Sequence, residues 1–296
     1  MKRFKPKVSR TQLFRRVRRP RVKYITVLPS LITLLNGLFG FTAIVFASRG
    51  AERGVAGYSY FAMAGYMVLL AMFADMLDGR LARMSQSTSS FGGQLDSLCD
   101  LISFGVAPAF LMLKAIESRL ELAMPLSGSL FHRFIWLAAL VYISCATIRL
   151  ARFNVENEEG ETAHMSFTGL PTPGAAGSVV SLVIFHQEVV PSVDLVIYLL
   201  PFLTFGIAIL MVSRIRYPHV LNLYLRGKQP FGYLIRVLLF LGLVWASMQT
   251  ALVLIFGFFV GSGLAKWLYA RARHEGKRLW PAHHDIEAHP AGESEV

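Results

Sequence analysis

Four carboxylates stand in two short-range pairs, Asp75-Met-Leu-Asp78 and Asp96-Ser-Leu-Cys-Asp100, within stretches that are otherwise apolar. Spacings of i, i+3 and i, i+4 put each pair on one face of a helix. An ionised side chain at membrane depth costs several kcal/mol unless it has a partner, so four such groups require a compensating charge. Hard divalent cations such as Mg2+ or Mn2+ prefer carboxylate oxygens, and Mg2+ is commonly held by a few carboxylates together with substrate phosphates. An aspartate set of this kind argues against zinc. Two metals held in this way can clamp a diphosphate and stabilise both the attacking and the leaving oxygen in a displacement at phosphorus. Arg83, just beyond Asp78, can neutralise a phosphate oxygen, and one carboxylate could serve as general base for a hydroxyl nucleophile.

The elements that must position these groups are membrane helices. A chain of 296 residues that is 54% hydrophobic and only 16% charged, with a mean hydropathy of +0.49, is too apolar for a soluble domain of its size. The net charge of +12 would suit a nucleic-acid partner, but its distribution argues against one. Eleven basic residues lie between Met1 and Lys23 with no acidic residue among them, directly before an apolar run. That is the pattern of a cytoplasmic flank, one that could also hold anionic lipid. The run continues to about Ala47, longer than the apolar region of a secretory signal, and reads as a first spanning helix. Cys99 and Cys145 have neither zinc-site nor disulfide-framework spacing and read as packing residues.

Segments long enough to span fall near 25–47, 58–82, 97–114, 131–151, 174–190, 194–212, 231–247 and 250–269. The expectation is therefore an all-α polytopic membrane helical bundle of about eight transmembrane helices. With the N-terminus cytoplasmic, only five basic residues (Arg49, Arg53, Lys114, Arg119 and Arg133) fall outside, leaving 25 of 30 on the cytoplasmic side. Both termini and all four aspartates then lie at the cytoplasmic face, Asp75 and Asp78 near the end of the second helix and Asp96 and Asp100 near the start of the third. The linker Ser85–Ser90 is polar, and Gly79 and Gly92-Gly93 would let a ligand approach the backbone. A cytoplasmic loop is expected from Phe153 to Pro173; its His164 reads as a solvated loop histidine.

The pattern D-x2-D-G-x2-A-R-x8-G-x3-D-x3-D, matched from Asp75 to Asp100, resembles the signature of the CDP-alcohol phosphatidyltransferase family. The resemblance implies a six-helix CDP-alcohol phosphotransferase core followed by a C-terminal helix pair. The corresponding division of the chain is a basic cytoplasmic segment at 1–24, the core at 25–230, the helix pair at 231–270 and a cytoplasmic tail at 271–296. It implies a two-metal centre, Mg2+ or Mn2+, on Asp75, Asp78 and Asp96, with Asp100 contributing and acting as the base that activates the acceptor hydroxyl. Gly79, Arg83 and Ser89 would contact the CDP group. Thr33 and Asn36 of the first helix, which share a face, would join the nucleotide pocket; hydrogen bonding between helices is the competing reading.

Arg149-Leu-Ala-Arg152-Phe-Asn154, Phe167-Thr-Gly169-Leu-Pro171-Thr-Pro173 and Ser213-Arg-Ile-Arg-Tyr217-Pro218 resemble the phosphatidylserine synthase branch of this family. The resemblance implies CDP-diacylglycerol and L-serine as substrates, with membrane lipids as surroundings. Arg149, Arg152 and Asn154 are candidates for the acceptor pocket, because serine's carboxylate, ammonium and hydroxyl need a cation and an amide or carboxylate partner. Topological anchoring or binding of lipid headgroups competes for the two arginines. Other acceptors stay open: glycerol 3-phosphate or inositol phosphate would require further cations, and choline an aromatic cage. A cation transporter could use the aspartates but leaves the spacing of Gly79, Ala82, Arg83 and Gly92 unexplained. The oligomeric state is open, a homodimer included.

Overall fold

The computed structural model describes residues 24–54, 57–85, 90–121, 129–158, 169–213, 215 and 247–278. They form a helical bundle: α1 (Tyr24–Ser48), α2 (Tyr60–Ser85), α3 (Ser90–Asp100), a π-helical segment (Leu101–Val106), α4 (Ala107–Glu121), α5 (Leu130–Glu158), α6 (Thr172–Glu188), α7 (Asp194–Val212) and α8 (Met248–Arg278). Six stretches of these helices are long and apolar enough to cross a membrane; α3, the π segment and α4 form one such stretch, Phe91–Leu120. The protein is an integral membrane helical bundle. Of the expected span at 231–247, residues 231–246 lie outside the described residues, as do residues 1–23 of the basic N-terminal segment, residues 159–168 of the expected loop with His164, and the C-terminal tail beyond 278.

Small residues set the packing. Ala62, Ala64, Val68 and Ala71 of α2 are buried, as are Ala43 and Ala47 of α1. Where lipid tails are as apolar as side chains, close backbone approach and dispersion hold helices together. At 17 residues, α6 is shorter than a usual crossing. Its Ala175, Ala176, Gly177 and Ser178 are all buried, and a Cβ at Gly177 would overlap the Phe256 ring of α8.

The third span winds unusually, and Pro108 explains why. Proline has no N–H for the carbonyl four residues earlier, and its ring crowds that carbonyl. That carbonyl is Phe104's. Just ahead of Pro108 the chain widens into the π segment, in which the Ala107 N–H donates to the Ile102 carbonyl. The Phe104 carbonyl instead accepts a hydrogen bond from the Tyr142 hydroxyl of α5 at 3.1 Å.

Two helix ends run further than expected. The fifth helix continues through Phe153 to Glu158, so Arg149, Arg152 and Asn154 all lie on it. Neither glycine nor proline interrupts the sequence before Gly160, and nothing there forces a stop. The last helix continues to Arg278, past the boundary expected at 270, through a polar sequence free of proline. The chain enters α6 through Gly169 at φ +94°, where it is tied to the end of α7 by bonds from the Gly169 N–H to the Ile215 carbonyl (2.8 Å) and the Leu170 N–H to the Leu210 carbonyl (3.0 Å).

Candidate active site

Asp75 and Asp78 lie in the second half of α2, and Asp96 and Asp100 in the second half of α3. The two helices bring these faces together: one carboxylate oxygen from each of Asp75, Asp78 and Asp96 lies within 4.8 Å of the others. Asp100 is not one of this trio. It is 8% exposed and lies about one turn beyond Asp96 on the same helix.

Two of the four carboxylates are held from α1. Thr33 Oγ1 donates to Asp78 Oδ2 at 2.8 Å. Asn36 Nδ2 donates to Asp100 Oδ1 at 2.8 Å. The separation of Thr33 from Asn36 by less than one turn lets one helix face serve both. Both side chains are buried, Asn36 at 0% exposure. Of the two readings of Thr33 and Asn36, a nucleotide pocket and hydrogen bonding between helices, the contacts seen are the interhelical ones.

Glycine makes this approach possible. A Cβ on Gly37 would lie 3.0 Å from Cys99 Sγ, and one on Gly40 would lie 2.7 Å from Ser103 Cα. Cys99 is thus a packing residue at the α1–α3 contact, as expected. Ser103, in the π segment, donates its hydroxyl to the Asn36 backbone carbonyl at 2.9 Å.

The trio fits a divalent cation. Asp96 Oδ1 is buried and has no hydrogen-bond partner, and the same holds for Asn36 Oδ1. Buried oxygen acceptors of this kind are costly unless something positive reaches them. Carboxylate oxygens converging without nitrogen or sulfur ligands suit Mg2+ or Mn2+ chemistry. Beside Asp78, a Cβ at Gly79 would meet no atom within 4 Å, so the backbone there is open to a ligand.

The other predicted residues are placed less decisively. Arg83 lies on the last turn of α2, but its side chain and the whole of Ser89 are outside the described residues. Arg149 is half-buried and Arg152 is exposed on α5. Asn154 turns to α3, where its Oδ1 accepts from Ser97 Oγ at 2.9 Å. Ser97, Asn154, Gln94 and Thr147 border a cavity of about 300 Å³ between α3 and α5, one residue from Asp96. Ser97 was not singled out from the sequence, although its place beside Asp96 marks it as a neighbour of the site.

The family model for CDP-alcohol phosphatidyltransferase matches residues 26–212. The chain is 32% identical over 247 residues to CDP-diacylglycerol–serine O-phosphatidyltransferase of Helicobacter pylori, covering 81% of this chain and 91% of that protein. It is 31% identical over 202 residues to the protein of the same name from Methanocaldococcus jannaschii, covering 68% and 78%. It is also 32% identical over 197 residues to archaetidylserine synthase of Methanothermobacter thermautotrophicus, covering 65% and 70%.

Proposed function

The chain belongs to the CDP-alcohol phosphatidyltransferase family, and from that membership we propose that it transfers the phosphatidyl group of CDP-diacylglycerol to the hydroxyl of L-serine, giving phosphatidylserine and CMP. The observation that carries the chemistry is the convergence of Asp75, Asp78 and Asp96 beside an Asp100 held separately by Asn36. Serine is favoured as acceptor because relatives that differ in their lipid, a diacylglycerol in one name and an archaeal lipid in another, share serine.

Asp75, Asp78 and Asp96 would hold the divalent metal, two ions of Mg2+ or Mn2+, with Asp100 contributing. When bound, the metal neutralises the diphosphate and the charge that develops on the attacking and leaving oxygens. Gly79 leaves room for the diphosphate, and Arg83 and Ser89 contact it. Thr33 orients Asp78, and Asn36 orients Asp100 through the oxygen to which it donates. The second oxygen of Asp100 takes the serine hydroxyl proton. The serine oxygen bonds to the phosphorus bearing the diacylglyceryl group, the bond from that phosphorus to the CMP oxygen breaks, and CMP departs. Arg149 and Arg152 receive the serine carboxylate, with Asn154 closing the pocket. The site faces the cytoplasm, where serine enters and CMP leaves, and the lipid arrives laterally.

The test is CMP release by purified protein supplied with CDP-diacylglycerol and a panel of alcohols. Serine should stimulate release above glycerol 3-phosphate, inositol phosphate and choline; a preference for any of these would replace the acceptor while leaving the chemistry. Direct displacement predicts inversion of a chiral phosphorothioate donor, and retention would demand a covalent intermediate.

A further inference from the structure

We infer that Tyr142, buried in the middle of α5, is a positioning residue for Asp100 that acts through the π segment of the third span. The inference rests on the reading of Asp100 as the base.

The wide turn begins at Leu101, directly after Asp100. It is gripped at two consecutive residues from two sides. From α5, the Tyr142 hydroxyl donates to the Phe104 carbonyl at 3.1 Å. Toward α1, Ser103 Oγ donates to the Asn36 carbonyl at 2.9 Å, and Asn36 in turn donates to Asp100 at 2.8 Å. Tyr142, Phe104, Ser103 and Asn36 are each 0% exposed, so water cannot stand in for any of these donors.

The tyrosine hydroxyl answers a need that Pro108 creates. An α-helix ahead of Pro108 would leave the Phe104 carbonyl without its N–H partner, whatever the neighbouring helices do. A buried carbonyl left unpaired draws its turn toward some other donor. The turn that would move carries Ser103, and Ser103 is bonded to the residue that orients Asp100. The helices are close enough to transmit a shift, since a Cβ at Gly105 would lie 3.5 Å from that of Ala146, one turn beyond Tyr142. π-helical turns recur at functional sites because they set side-chain direction locally in a way a regular helix cannot. Here the turn sets where Asp100 points relative to Asp96 on the preceding turn.

The experiment measures serine-dependent CMP release by Tyr142→Phe, which keeps the ring and removes only the hydroxyl. Misorientation of the base predicts a kcat reduced by about ten- to a hundredfold, with KM for serine and for CDP-diacylglycerol each within about twofold of the parent. Ile135→Val, also fully buried on α5 but a distance along it, is the comparator for lost packing alone. It should lower the thermal transition while leaving kcat unchanged. Equal kcat in Tyr142→Phe and the parent, or a fall in kcat matched by Ile135→Val at equal thermal transition, would overturn the inference. Should Tyr142→Phe fail to fold, Ser103→Ala removes the other grip and must show the same split between kcat and KM. Asp100→Asn, assayed alongside, separates the two readings. Turnover retained there removes the base, whereas turnover lost there but intact in Tyr142→Phe removes only the role of the tyrosine.

Discussion

The aspartate cluster and the Arg149–Asn154 segment are both candidates for substrate contact, yet they are built differently. The aspartates sit on two successive helices and are tied to a third by Thr33 and Asn36. The α5 segment is joined to the neighbouring helix through the bond from Ser97 to Asn154, and its Arg152 is exposed. Chemistry at phosphorus needs groups placed to within a fraction of an ångström, and the cluster has the buried, hydrogen-bonded support such placement requires. Recognition of a small polar acceptor tolerates a looser frame that is completed when the substrate arrives.

Substitutions should separate the two regions by size and kind of effect. The largest effect belongs to Asp96→Asn, which removes a carboxylate charge from the trio; CMP release should fall by about a thousandfold or more. Chelation should do the same to the parent, with Mg2+ or Mn2+ restoring it. Asn36→Ala leaves Asp100 without its donor and should cost about ten- to a hundredfold in kcat, read from saturation curves in both substrates. On the other side of the comparison, Arg152→Ala should raise the serine requirement more than the CDP-diacylglycerol requirement. Equal effects on both would dissolve the distinction between the two regions. Ser97→Ala removes the hydroxyl that Asn154 Oδ1 and the Gly93 carbonyl share, worth about 1 kcal/mol, and should shift the serine KM by about fivefold at most.

Much of this was legible in the sequence, for physical reasons that can be named. Helical period and spacing alone put Asp75 with Asp78 and Asp96 with Asp100, and a short linker leaves a hairpin as the simplest path between them. The apolar composition marked the chain as a membrane protein, and the charge distribution gave its topology. The π segment was not read, although Pro108 stood in plain view. A proline inside an apolar run is compatible with a kink, a break or a wide turn, and the choice depends on Tyr142, 34 positions away. Nor was the pairing of Asn154 with Ser97 readable, because it depends on how α5 is rotated against α3. The end of α5 was set too early for a simpler reason: charged residues after Phe153 suggested a loop, but helices project beyond the apolar layer when nothing breaks them.

The central claim is that the cluster binds the CDP-lipid while Asp100, held by Asn36, moves the proton. Asp100→Asn tests it most directly when CDP-diacylglycerol binding and serine-dependent CMP release are measured on the same preparation. The account predicts binding near that of the parent with turnover reduced by about a hundred- to ten-thousandfold, the range for loss of a general base. Turnover close to that of the parent would contradict it.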